Sequence, residues 1–188
     1  SSPRLRYGVS VPRRDVTFVV CDLARCNESW QTNPAGAAKA ITRFGQLVRD
    51  LSAPTDQQNE RVNAASSGGY IFSRPALHSG GTYMLAFPDA ARAAAFALNL
   101  QREVIDREWP RGVQIYARVA LHFAAGVSGA PRDDVTRTGY EPEHYDEACK
   151  LNLRCRPGAV VCSSSFSTRL GSHPSAADFK LVPRAEDA

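Results

Sequence analysis

The spacing of apolar residues switches between strand-like and helix-like several times along the chain. Residues 16–23, Val-Thr-Phe-Val-Val-Cys-Asp-Leu, form a β-branched run that predicts a strand leading into a lone carboxylate, Asp22, and then a loop. After Asn33-Pro34 the period lengthens: Ala37, Ile41, Phe44, Leu47, Val48 and Leu51 recur at helical spacing, with Pro34 in the first turn. The polar stretch 52–69, which carries Pro54 and Gly68-Gly69, predicts an exposed loop. Residues 70–72 and 82–87 predict two strands of a hairpin. Pro88-Asp89 then opens a second amphipathic helix to Arg107, with Ala93, Phe96, Ala97, Leu100, Val104 and Ile105 on one side. Trp109-Pro110-Arg111-Gly112 ends it, and residues 113–123 alternate as a long strand. A helix over 143–153, a short strand over 159–162, a Ser-rich turn into 166–170 and an edge strand over 179–182 complete the prediction.

The order βαββαβαβ predicts an α/β (α+β) sandwich of the ferredoxin-like plan, a mostly antiparallel sheet covered by helices. The expected boundaries are an N-terminal extension at 1–15, one domain at 16–183 and a tail at 184–188. A length of 188 residues, 43% of them hydrophobic, suits one closed core. No apolar run approaches the roughly 20 residues of a membrane span, and the Ser1-Ser2-Pro3 start reads as a domain cut from a longer soluble protein. The net charge of +4 comes almost wholly from arginine, since Lys39, Lys150 and Lys180 are the only lysines. No basic run is interleaved with aromatics, so nucleic acid is not an expected partner. Five cysteines without a CxxC pair argue against a zinc knuckle or disulfide framework and favour idle thiols in the cytoplasm.

Four segments now fall in a meaningful register. The strand ending in Asp22-Leu23, the Gly68-Gly69-Tyr70 element, the Gly80-Gly81 strand ending in Phe87, and Arg118-Val119-Ala120-Leu121-His122-Phe123-Ala124 occur in order with a helix in each expected gap. Together they resemble the class III nucleotide cyclases, the adenylate and guanylate cyclase catalytic domains, over about residues 16–170. The stretch Asp134-Val135-Thr136-Arg137-Thr138-Gly139-Tyr140 is similar to the receptor-type adenylate cyclases of trypanosomatid parasites, which would put the domain beside a membrane in a receptor-like parent.

The resemblance implies roles, and several positions depart from them. Asp22 and the Leu23 carbonyl fall where the family binds magnesium or manganese, but Gly81 stands in place of the second metal aspartate. Cys26 and Asn27 replace a Phe-Thr pair in a loop whose amides cradle phosphates. Leu77 falls nearest to the adenine-reading lysine, and Glu141 where an aspartate reads the purine. Counts from Tyr140 and back from Pro157-Gly158 agree in placing Asp146 at the transition-state asparagine and Lys150 at the arginine.

The family's reaction brings a ribose 3′ oxygen onto the α-phosphate with two hard cations held by paired carboxylates. Only one of that pair is present here. Lys150 keeps charge without the bidentate fork of arginine. An ionised Asp146 ~4 Å from the anionic centre would cost on the order of 4 kcal/mol at an effective dielectric of ~20, roughly a thousandfold in rate. Family members are head-to-tail dimers, each composite site drawing metal carboxylates from one subunit and the asparagine-arginine pair from the other. Both halves are altered in this chain. The expectation is a catalytically degenerate cyclase homology domain that pairs with itself or another cyclase-type domain and serves as a dimerisation, regulatory or ATP- or GTP-sensing module in cyclic-nucleotide signalling. The alternative is an active adenylate or guanylate cyclase in which Asp133, Asp134, Asp146 or Glu147 supplies a substitute metal ligand. A third reading, a ferredoxin-like domain unrelated to nucleotides, needs the spacing to be accidental.

Other constellations are read as structural. Ser66-Ser67-Gly68-Gly69 makes no Walker or dinucleotide fingerprint and its glycines suit turns. His78, His122, His144 and His173 lack metal spacing, and no GxSxG elbow is present.

Overall fold

The computed structural model describes residues 11–53, 68–73, 81–128 and 140–183. Five strands are present among them: β1 (Arg14–Ala24), β2 (Tyr70–Ser73), β3 (Tyr83–Phe87), β4 (Tyr116–Val127) and β5 (Val160–Cys162). The helices are α1 (Cys26–Thr32), α2 (Pro34–Ser52), α3 (Ala90–Asp106), α4 (Asp146–Arg154) and α5 (Ser164–Gly171). One sheet in the order β2-β3-β1-β4-β5 joins all five strands. Its first four are antiparallel neighbours in the ferredoxin-like arrangement, and β5 is added parallel to β4.

Alternation along β1 sends side chains into two different cores. Val19, Cys21 and Leu23 join the helix-side core with Phe44, Leu47 and Val48 of α2 and Phe96, Ala97 and Leu100 of α3. Val16, Phe18 and Val20 enter a second core with Ala86, Val127, Tyr140 and Ala148. Both faces of the central strand are therefore buried, which is what its continuous apolar run requires. Each fully buried Phe or Leu contributes about 1.5–3 kcal/mol relative to exposure.

Local chemistry sets the helix starts. Asn33 Oδ1 accepts from the Gly36 amide at 2.9 Å ahead of Pro34, and Asp89 Oδ1 accepts from the Arg92 amide at 2.8 Å. Gly68 has φ +67, and a side chain on Gly69 would collide with the Phe87 ring. The amides of both glycines bond the last carbonyls at the end of α2, Gly68 to Ala53 and Gly69 to Ser52. These glycines serve the chain's return from α2 into β2.

Three expectations change. The Ser-rich turn expected to lead into 166–170 is part of the helix α5, capped by Ser163, with Phe166 and Leu170 buried beneath it. α1 is a short helix where a loop is expected after Asp22; Arg25 at φ 58 makes the bend, and the Glu28 and Ser29 amides bond its carbonyl. Residues 179–182 are not a strand: a 3-10 turn at 176–178 uses the Phe179 amide, and Leu181 and Val182 remain exposed. Most of the predicted loop 52–69, together with Leu77, Asp133, Asp134 and the tail, lies outside the described residues.

Candidate functional site

Asp22 sits near the C-terminal end of β1, directly opposite Arg118 of β4 in the antiparallel ladder. The guanidinium grips the carboxylate with both prongs: Nε donates to Oδ1 at 2.8 Å and the second nitrogen to Oδ2 at 2.6 Å. The Asp22 side chain is 9% exposed and that of Arg118 22%. Two parallel charge-assisted hydrogen bonds of this kind are roughly twice as strong as neutral ones and fix the geometry of the pair. It raises the Arg118 pKa, with burial opposing.

On the other flank of β1 the ladder with β3 runs as far as Cys21 opposite Tyr83, and Gly81 and Thr82 lead into β3. Gly81 has φ +75, in the left-handed region. Leu23 is buried in the helix-side core opposite Ala117.

The other predicted positions lie on α4 and its approach, an element packed on the sheet face lined by Val16, Phe18 and Val20. Tyr140 is buried, and its hydroxyl donates to the Pro12 carbonyl at 2.8 Å, which ties the segment before β1 to the segment before α4. Phe18, Phe72, Tyr140 and Tyr145 form a packed aromatic group on this sheet face, with centroids 5.0–6.0 Å apart. Glu141 is exposed in extended backbone and leads into a 3-10 turn at Pro142–His144. Asp146 and Lys150 are one helical turn apart and bond each other at 2.5 Å, both more than half exposed. That hydrogen bond raises the Lys150 pKa. Asp146 also stands in the first turn of α4, where the helix dipole favours an anion. Cys26 and Asn27 open α1, and their side chains lie outside the described ones.

The structure puts Asp146 and Lys150 together on one face of α4, and it pairs Asp22 with Arg118. Arg118 is the participant that sequence reasoning left unassigned. Its signal was a basic residue on the polar phase of an alternating strand, within the Arg118-to-Ala124 segment.

A second polar group lies further along β4. His122 Nδ1 is 2.9 Å from Ser163 Oγ, Ser163 Oγ is 2.9 Å from Ser165 Oγ, and Ser165 Oγ donates to the Phe123 carbonyl at 2.9 Å. Ser163 Oγ also accepts from the Phe166 amide. Ser165 Oγ also lies 3.3 Å from His122 Nδ1; the shorter contacts each receive a proton when Nδ1–H of His122 donates to Ser163, which then donates to Ser165. Burial lowers the His122 pKa, and the Glu147 charge opposes that shift.

Two-metal chemistry needs paired carboxylates around hard cations. Asp22 is engaged by Arg118, Gly81 offers no side-chain oxygen, and no group of three or more His, Cys, Asp or Glu able to hold a metal occurs among the described residues. The donor set does not fit such a centre.

No family model matches the chain. Solved structures do match its fold. A Trypanosoma brucei adenylate cyclase in its monomeric state superposes with a TM-score of 0.67 at 12% identity, covering 87% of this chain and 79% of that one. The non-canonical dimeric guanylyl cyclase domain of the RhoGC fusion protein from the aquatic fungus Blastocladiella emersonii gives 0.67 at 15% identity, covering 87% and 86%. The adenylyl cyclase CyaB from P. aeruginosa gives 0.60 at 13%, covering 84% and 81%. Among curated proteins, the putative serine/threonine-protein kinase/receptor R818 of Acanthamoeba polyphaga mimivirus is 22% identical over 87% of this chain. The chain spans about 10% of that protein's length. The chain has the fold of the class III nucleotide cyclase catalytic domain.

Proposed function

We propose that this chain, a domain with the class III cyclase fold, is a catalytically degenerate member of that architecture that works through a partner. Its role is dimerisation, regulation or ATP or GTP sensing in cyclic-nucleotide signalling. The observation that carries the reading is Gly81: a glycine in left-handed backbone, φ +75, stands at the point in the sequence where the resemblance calls for the second metal carboxylate.

The α4 half supports the same reading. Asp146 and Lys150 neutralise each other on an exposed helix face, where the chemistry calls for an orienting amide and a planar cationic fork. A healthy partner domain would restore one composite site at most. Of the substitute ligands open to an active enzyme, Asp146 is already paired with Lys150.

The partner is a second copy or another cyclase-type domain; the RhoGC guanylyl cyclase domain occurs both as a non-canonical dimer and as a monomer. Among the described residues no helix is long and apolar enough to cross a membrane. Sedimentation velocity on the wild type and on Asp22→Ala tests the module: self-association, or association with an added cyclase domain, is expected in both. A chain that stays monomeric with every cyclase partner would contradict the proposal.

A further inference from the structure

We infer that Arg118 takes the place of the divalent cation at Asp22, so that this part of the sheet is charge-neutral and indifferent to metal. The inference deepens the degenerate reading and rests on it for the identity of the site, but the two fail separately.

The geometry is specific to an arginine acting as counter-ion. An ionised carboxylate presents about four lone-pair positions, and the planar fork takes one on each oxygen, at 2.8 and 2.6 Å. A lysine at this position would offer a point charge with no matching pair of donors. The pairing is set by the backbone, since Asp22 and Arg118 are directly opposed in the β1–β4 register. It needs no loop to close.

A cation would have to displace this arrangement and find more ligands. Magnesium demands near-octahedral oxygen coordination, and calcium six to eight oxygens. Gly81 supplies no side-chain oxygen, and Leu23 offers at most its one backbone carbonyl. A bound dication would also lie against the displaced guanidinium, whose side chain is mostly buried. Like charge in a partly desolvated place opposes entry. With the second carboxylate replaced by Gly81, Asp22 is the remaining negative charge of the expected pair, and Arg118 neutralises it.

The test uses manganese alone as the probe, followed by the electron paramagnetic resonance signal of the free ion, together with unfolding midpoints in manganese and in EDTA. For the wild type the expected result is a midpoint equal in both media and no manganese binding that depends on Asp22. Binding that survives Asp22→Asn counts with this result, because Asp22 is then not the ligand. Arg118→Met, which frees the carboxylate, is expected to acquire a manganese-dependent rise in midpoint. Wild-type manganese binding that Asp22→Asn abolishes would overturn the inference, and so would an Arg118→Met protein with no response to manganese. The wild-type measurement stands alone should Arg118→Met fail to fold. A metal-binding but inactive chain sinks this inference and leaves the degenerate reading; a chain that makes cyclic product without manganese binding at Asp22 does the reverse.

Discussion

Asp22 and Arg118 face each other across the β1–β4 ladder and share two hydrogen bonds, although 96 positions separate them in the chain. Removing one member of a buried ion pair strands the other charge, which costs roughly 3–5 kcal/mol when burial is complete. Arg118 retains some solvent access, so Asp22→Ala is expected to cost about 3 kcal/mol. Urea denaturation checks this as a lower midpoint with an unchanged slope.

Restoring the missing carboxylate is expected to carry a cost of its own. Gly81 has φ +75, and a non-glycine residue there is strained by about 1 kcal/mol or more. Gly81→Asp is expected to unfold at lower urea than the wild type. Combined with Asp146→Asn and Lys150→Arg it is expected to yield no cyclic product, because Arg118 still holds Asp22. Product from the triple variant, measured by mass spectrometry, would refute this.

His122 gives an acid dependence with a definite sign. Burial lowers its pKa in the folded protein, so the unfolded chain takes up the proton more readily. The contribution is present above the unfolded value of about 6.5 and is lost as pH falls through the lower folded value. Urea midpoints at about pH 7.5 and about pH 5.5 are expected to differ less in His122→Asn, which keeps a donor near the Nδ1 position. Nitrogen chemical shifts are expected to report the Nδ1–H tautomer in the neutral ring.

Thiol reactivity is expected to follow burial. Cys21 is fully buried and its pKa is pushed far up by desolvation, with the Asp22 charge adding to it. Cys149 and Cys162 are only partly buried and less perturbed. Timed alkylation with iodoacetamide, read by peptide mass spectrometry, is expected to modify Cys149 and Cys162 well before Cys21. Early modification of Cys21 would mean that β1 opens locally.

What the sequence made legible follows from what is local. α2 and α3 combine long apolar periodicity with a capping residue, Asn33 or Asp89, and both were readable. α5 was not, because eight residues rich in serine bury only Phe166 and Leu170 and resemble a turn. The 179–182 segment carries strand-like residues, but its first amide closes a 3-10 turn instead of joining the sheet. At the site, four-residue spacing was enough to put Asp146 and Lys150 on one helix face. The Asp22–Arg118 pair depends on the register between two distant strands, which no local pattern records. The Asp134-to-Gly139 stretch lies outside the described residues.

The most direct measurement is cyclic AMP and cyclic GMP formation by the purified domain with manganese and ATP or GTP, read by mass spectrometry beside an Asp22→Ala control. A degenerate domain yields no product above that control. Product that disappears in the control would contradict the account and make Asp22 part of a working catalytic site.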